Sequence, residues 1–191
     1  MPRIKVDDPD TLAPDERRVW DMIASSPRGR VEGPLRVWVK SPEFAERAQA
    51  VGAFCRFGSS LPARLSELAI LTTGAHWQAG FEWYAHLPLA IAGGLSPEIA
   101  ECIRKGETPK FTKADEAAVH TFATELITTK RVSDATYAET VAQIGERGVI
   151  DLVGILGYYA LISMTINAFE VALPEGVEDP FGDVERGERG S

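Results

Sequence analysis

Helix-start signals recur along this chain, and no strand pattern competes with them. Ser41-Pro42-Glu43 and Ser96-Pro97-Glu98 each supply a capping serine, a proline at the first helical position and an acid in the first turn. Thr112 stands three residues before Asp115, and Ser133 precedes another periodic run. Pro14, Asp15 and Glu16 open an N-terminal helix whose apolar positions Val19, Met22 and Ile23 have helical spacing. Further helices are expected from about 42 to 56, 62 to 74, 78 to 92, 97 to 106, 113 to 129, 134 to 145 and 149 to 171. Residues 25–40 hold Pro27, Gly29, Gly33 and Pro34 and read as a long loop. The fold class is therefore all-α, a multi-helix bundle.

Length and composition narrow the class further. A chain of 191 residues buries about 70% of its unfolded surface, enough for one substantial core. With 45% apolar residues it is not disordered as a whole. A net charge of −8 argues against non-specific nucleic-acid binding, which needs clustered Lys and Arg. Two cysteines, Cys55 and Cys102, make neither a disulfide framework nor a Cys-rich zinc site. The start MPRIKVDDPDTLAPDE has no apolar core of a secretory signal, so the cytoplasm is the expected compartment.

The expected organisation is one helical domain over 1–173, with its core at 42–173 and an N-terminal helix and loop at 1–41. Residues 174–191 carry six acids, two arginines and four glycines, and hold half of the net charge. They read as a solvated tail, or as an arm anchored on a neighbouring subunit by Phe181. Residues 152–169 contain no charge, close to the length of a membrane span. Ser163, Thr165, Asn167 and two glycines, and the lack of Lys or Arg beside either end, favour a central bundle helix instead.

Two adjacent segments hold the chemistry. In LPARLSELAILTTG, Glu67 shares a face with Ala63, Ile70, Leu71 and Gly74. A carboxylate on an apolar stripe needs a partner, and Arg64 is the nearest. In AGFEWYAHLPLAIAGG, Glu82 and His86 are four apart and meet on one face among Ala79, Leu89, Ala90 and Gly93. Glu82 can hold the imidazole in one tautomer and raise its pKa, leaving the other nitrogen free to move a proton. Pro88 removes a hydrogen bond to Tyr84 and implies a kink near His86. Trp77, Trp83 and Tyr84 supply aromatic walls or packing, and Asn167 is a core amide or a pocket donor. The two-histidine spacing of a zinc protease is absent, and no metal is expected. His76 and His120 read as ordinary packing or surface residues. Glu139 precedes Tyr158 by 19 residues, as Glu67 precedes His86, a faint hint of an internal repeat.

The stretch RLSELAILTTGAHWQAGFEWYAHLPLAIAGGLSPE, continued more weakly by YYALISMTINAF, resembles the carboxymuconolactone decarboxylase family, relatives of alkyl hydroperoxidase D. The resemblance implies an all-helical fold, trimers or hexamers, a site between these helices and no organic cofactor. It also implies an association with aromatic-compound catabolism. Peroxidase-type relatives place a C-x-x-C pair 12 and 15 residues after the glutamate and a histidine 19 after it; here Glu67 and His86 match, but Ala79 and Glu82 stand where the sulfurs would be. Dithiol peroxidase chemistry needs a thiolate and a resolving thiol. The expectation is therefore a cofactor-independent lyase or isomerase for a small carboxylated lactone or enol acid. His86 would be its acid/base, Glu82 would orient His86, and Glu67 would tune it or carry a second proton. Arg64 would pair with the substrate carboxylate or with Glu67. An antioxidant peroxidase and a non-catalytic small-acid-binding oligomer are the alternatives.

Overall fold

The computed structural model describes residues 2–4 and 8–184. A short 3-10 turn at Pro9–Thr11 leads into α1 (Pro14–Ala24), α2 (Pro34–Trp38), α3 (Pro42–Phe57), α4 (Ala63–His76), α5 (Gly80–Ala92), α6 (Pro97–Arg104), α7 (Ala114–Thr129) and α8 (Asp134–Phe169). Among the described residues there is no strand.

The bundle is built around α4, which packs against α5, α6, α7 and α8. Every residue from Leu65 to Gly74 is buried, so α4 has no solvent face. Its hydroxyls are accommodated internally: Thr72 Oγ1 donates to Leu68 O at 2.8 Å and Thr73 Oγ1 to Ala69 O at 2.9 Å. The carboxylate of Glu67 is thereby carried into the interior by a helix that the apolar effect holds at the centre. α4 turns into α5 through Gln78, which takes a left-handed φ of 48°. That tight turn lays α5 directly along α4, with Gly74 facing the Glu82 stem. α5 continues as one helix through Pro88.

Two elements, α2 and the segment after α8, differ from the sequence expectation, while the division of α8 agrees with it. The run 134–169 is two helical segments meeting at a kink at Gly145, where φ 72° and ψ 165° call for glycine, which is where the sequence divides it. The loop at 25–40 contains α2, five residues long, with Leu35, Val37 and Trp38 buried. A helix this short leaves no readable period, and tertiary burial holds it in place. The segment after α8 is no free tail as far as residue 184. Phe181 is fully buried and packs edge-on against Trp83 at 5.5 Å, and Arg104 grips Pro180 O at 2.6 Å and Asp183 at 3.0 Å. Its anchor is its own chain. Residues 185–191 lie outside the described residues.

The uncharged stretch of α8 has a mean hydropathy of 1.8, and 61% of that window is buried within the protein. It packs against α3, α4 and α7, which accounts for its composition as the inner helix of a bundle. The core also extends beyond 42–173. Val19, Ile23, Val31 and Leu35 join it from the N-terminal side, and Phe181 from the C-terminal side.

Candidate active site

His86 is the centre of the site, and both of its ring nitrogens face carboxylates. Nδ1 lies 2.6 Å from Glu67 Oε2, across the α4–α5 contact, and Nε2 lies 3.0 Å from Glu82 Oε1, one turn back on α5. The i, i+4 relation within α5 sets the second distance, and the 19-residue separation between helices sets the first only once α4 and α5 pack. His86 is 5% exposed, Glu82 3% and Glu67 7%. The two contacts are unlike. Glu67 makes an aligned hydrogen bond, whereas Glu82 Oε1 is within ion-pair range but has no aligned donor. Sequence spacing gives the Glu82–His86 pair, but the second nitrogen is not left free: Glu82 faces Nε2, and Glu67 holds Nδ1.

Electrostatics follow from this geometry. Burial pushes the imidazole pKa down, but the charge of Glu82 and the hydrogen bond and charge of Glu67 outweigh it. The result is a pKa raised from 6.5 to about 9. At neutral pH His86 is therefore an imidazolium, a stored proton between two carboxylates. The Tyr159 ring stands edge-on to it at 5.0 Å. Burial, with the nearby Glu82 and Glu67 carboxylates, pushes the Tyr159 hydroxyl pKa well up.

A cleft of about 380 Å³ opens over this cluster. Glu82 and His86 line it together with Tyr158 and Tyr159 of α8, with Arg28 and Arg56, and with the Arg30–Glu32 ion pair. Arg28 stands 3.5 Å from the Tyr158 hydroxyl through Nη2, and its Nε is buried without a hydrogen-bond partner. Both groups fit because α3 has a glycine beneath them: a Cβ at Gly52 would lie 2.0 Å from the Tyr158 oxygen and 2.6 Å from Arg28 Nη2. Burial pushes the Tyr158 pKa up to about 12, so its hydroxyl stays protonated.

The remaining expected site residues lie elsewhere. Arg64 turns away from Glu67 and pairs with Asp115 at 2.7 Å and with Glu116 at 2.6 Å, bracing α4 against α7. Glu116 is 2% exposed, and this buried acid accounts for the arginine. Trp83 faces Phe181 rather than the cleft. Tyr84 is 41% exposed and lines a neighbouring groove. Asn167 donates to Trp77 O at 2.7 Å, tying α8 to the end of α4. Glu139 is exposed and pairs with Gln143 at 3.0 Å, so the hinted repeat has no counterpart to the Glu67–His86 contact. Arg28, Tyr158 and Tyr159 line the cleft and are not among the site residues the sequence points to. Arg28 sits in a segment read as loop, and the tyrosines in a helix read as apolar packing.

Cys55 and Cys102 are both free thiols. Cys55 is buried, and burial together with the Asp151 charge pushes its pKa up to about 11. Among the described residues no cluster of three or more His, Cys, Asp or Glu side chains is arranged around a common point to take a metal ion.

No family model matches this chain, and no curated protein matches its sequence. Solved structures do match its fold. An alkylhydroperoxidase AhpD core structure of an uncharacterized peroxidase-related protein from Ralstonia eutropha JMP134 superposes with a TM-score of 0.72 at 15% identity, covering 91% of this chain and 93% of the other. An uncharacterized peroxidase-related protein from Silicibacter sp. TM1040 gives 0.70 at 13% identity, covering 90% and 91%. A protein of unknown function from Agrobacterium tumefaciens, described as a putative antioxidant defence protein AhpD, gives 0.64 at 15% identity, covering 77% and 100%. At these identities the likeness speaks for architecture alone, and the chain has the all-helical fold of the alkylhydroperoxidase AhpD core.

Proposed function

We propose that this protein is a cofactor-independent lyase or isomerase of the carboxymuconolactone decarboxylase type, acting on a small carboxylated lactone or β-keto acid by proton transfer. The observation that carries the reading is His86, held between Glu67 and Glu82 in a cleft that Arg28 and Arg56 also line. Arg28, with its unpartnered buried Nε, takes the anionic group of the substrate, the role that Arg64 is not free to fill. In decarboxylation the bond between the carboxylate and its carbon breaks. CO₂ leaves, and the electron pair stays on the carbon as an enolate. His86 Nε2 then gives its proton to that carbon and is reprotonated from water. In isomerisation Glu82 Oε1, which has no hydrogen-bond donor, removes a proton from one carbon, and His86 delivers one to another.

Homo-oligomerisation is part of the proposal. Phe44, Val51, Phe54 and Phe57 on α3, and Ile150, Val153 and Met164 on α8, expose large apolar side chains. That is more apolar surface on two helices than a monomer usually leaves open. The proposed compartment is the cytoplasm, where the two free thiols stay reduced.

The test is a panel of carboxylactones and β-keto acids followed for CO₂ release and for exchange of carbon-bound hydrogen in D₂O, with alkyl hydroperoxide as control. His86→Ala should abolish turnover while the oligomer persists, and full activity in that variant refutes the assignment. Thiol-dependent peroxide consumption that vanishes in a Cys55→Ser/Cys102→Ser variant would support a peroxidase instead. The raised Cys55 pKa and the residues at 79 and 82 speak against it.

A further inference from the structure

A second cleft of about 400 Å³ adjoins the one over His86. Arg30, Glu32 and Phe81 line both. Beyond them the character of the walls changes. Ile4, Val37, Phe169, Val171 and Leu173 come together from three distant parts of the chain to make a chamber more apolar than the cleft over His86. The chamber is built rather than incidental. Arg3 ties the N-terminal segment to the end of α8 through Phe169 O and Ala168 O, each at 3.0 Å. Arg36 also reaches this chamber, and Arg30 is paired with Glu32 at 2.9 Å, so the shared lining carries a neutralised charge pair.

The apolar residue shared by the two spaces is Phe81. It rests on backbone, because residue 33 is a glycine with φ 52°, and a Cβ there would lie 2.2 Å from the ring. Each chamber is large enough for a small ligand by itself. A small carboxylated lactone fills one of them and leaves the other without a role. A substrate whose carboxylate meets Arg28 and whose reacting carbon meets His86 has its remaining atoms directed past Phe81.

We infer that the two clefts form one site with a polar head chamber and an apolar tail chamber, and that its ligands are amphipathic acids, carboxylates carried on an alkyl or aryl tail. This deepens the proton-transfer reading and rests on it for the head chamber only.

Calorimetric titration of the full chain with straight-chain carboxylates from acetate to decanoate tests the inference. The dissociation constant should fall about fourfold per added methylene until the chamber is full. Matched 1-alkanols should bind far more weakly. Ala172→Trp, at an exposed position on the chamber wall, should lower the ratio of octanoate to acetate affinity at least tenfold. Val171→Asp, which puts a charge in the path of the tail, should do the same if the first variant folds poorly. A flat length series, alkanols that bind as tightly as acids, or an unchanged ratio in both variants overturns the inference. A steep series with no turnover of any β-keto acid leaves the two-chamber site standing and refutes the proton-transfer reading. Turnover with a flat series does the reverse.

Discussion

Replacing Glu67 by glutamine keeps the shape beside His86 and removes one of its two charges. The wild-type imidazole is raised from 6.5 to about 9 against a burial effect that works the other way. The rise corresponds to about 3 kcal/mol in favour of the charged form, so the two carboxylates together supply at least that much. Divided between them, the loss of Glu67 removes about 2 kcal/mol and brings the His86 pKa down by rather more than one pH unit. The chain has three histidines, and burial pushes His76 and His120 down, so a ¹⁵N-histidine titration separates His86 at the alkaline end. Stability changes in step. Because the folded pKa lies above the unfolded one, the stabilisation is complete below about pH 6.5 and is lost as pH rises through about 9. Urea unfolding of the wild type should therefore weaken by about 3 kcal/mol across that window, and that of Glu67→Gln by about half as much. A wild-type His86 that titrates below 7, or a titration unmoved by Glu67→Gln, refutes the claim that the paired carboxylates store the proton.

Arg64→Ala leaves Glu116 buried with Lys113 at 3.2 Å as its remaining cation, and should cost about 3 kcal/mol in denaturant unfolding. Its turnover per folded molecule should be unchanged, and a specific loss of kcat would return Arg64 to the site. Phe181→Ala removes a fully buried ring from Trp83 and should destabilise by about 3–5 kcal/mol and open residues 174–184 to limited proteolysis; an unchanged midpoint contradicts the anchored segment. Gly52→Ala drives a methyl into the Tyr158 hydroxyl and its ring carbon, at 2.0 and 2.1 Å, and should cost about 1–3 kcal/mol, partly recovered by adding Tyr158→Leu, which removes both atoms. Lack of recovery in that double variant would show that the glycine serves something other than the tyrosine.

Much of the fold was legible because helix starts are local. Pro42, Pro97 and Ser133 stand at the starts of α3, α6 and α8 as expected, since capping and proline effects act within one turn. α2 was not legible, because five residues carry no period, and their burial depends on elements far away in the chain. The anchored segment after α8 was read as a tail because its composition is polar, while a single ring, Phe181, provides the attachment.

The sequence by itself determined the all-helical class and the Glu82–His86 pair, because helix signals and i, i+4 spacing are properties of single helices. It also determined that no sulfur stands at positions 79 and 82. Tertiary structure decided how Glu67, Glu82 and His86 share a proton, since the 2.6 Å contact of Glu67 exists only where α4 and α5 meet. It also decided which arginine serves the cleft. Arg64 lies close to Glu67 in sequence, but buried Glu116 on α7 claims it, and Arg28 reaches the site from a segment with no helical pattern. Charge pairing across a folded interior depends on distance in space, which sequence separation does not record.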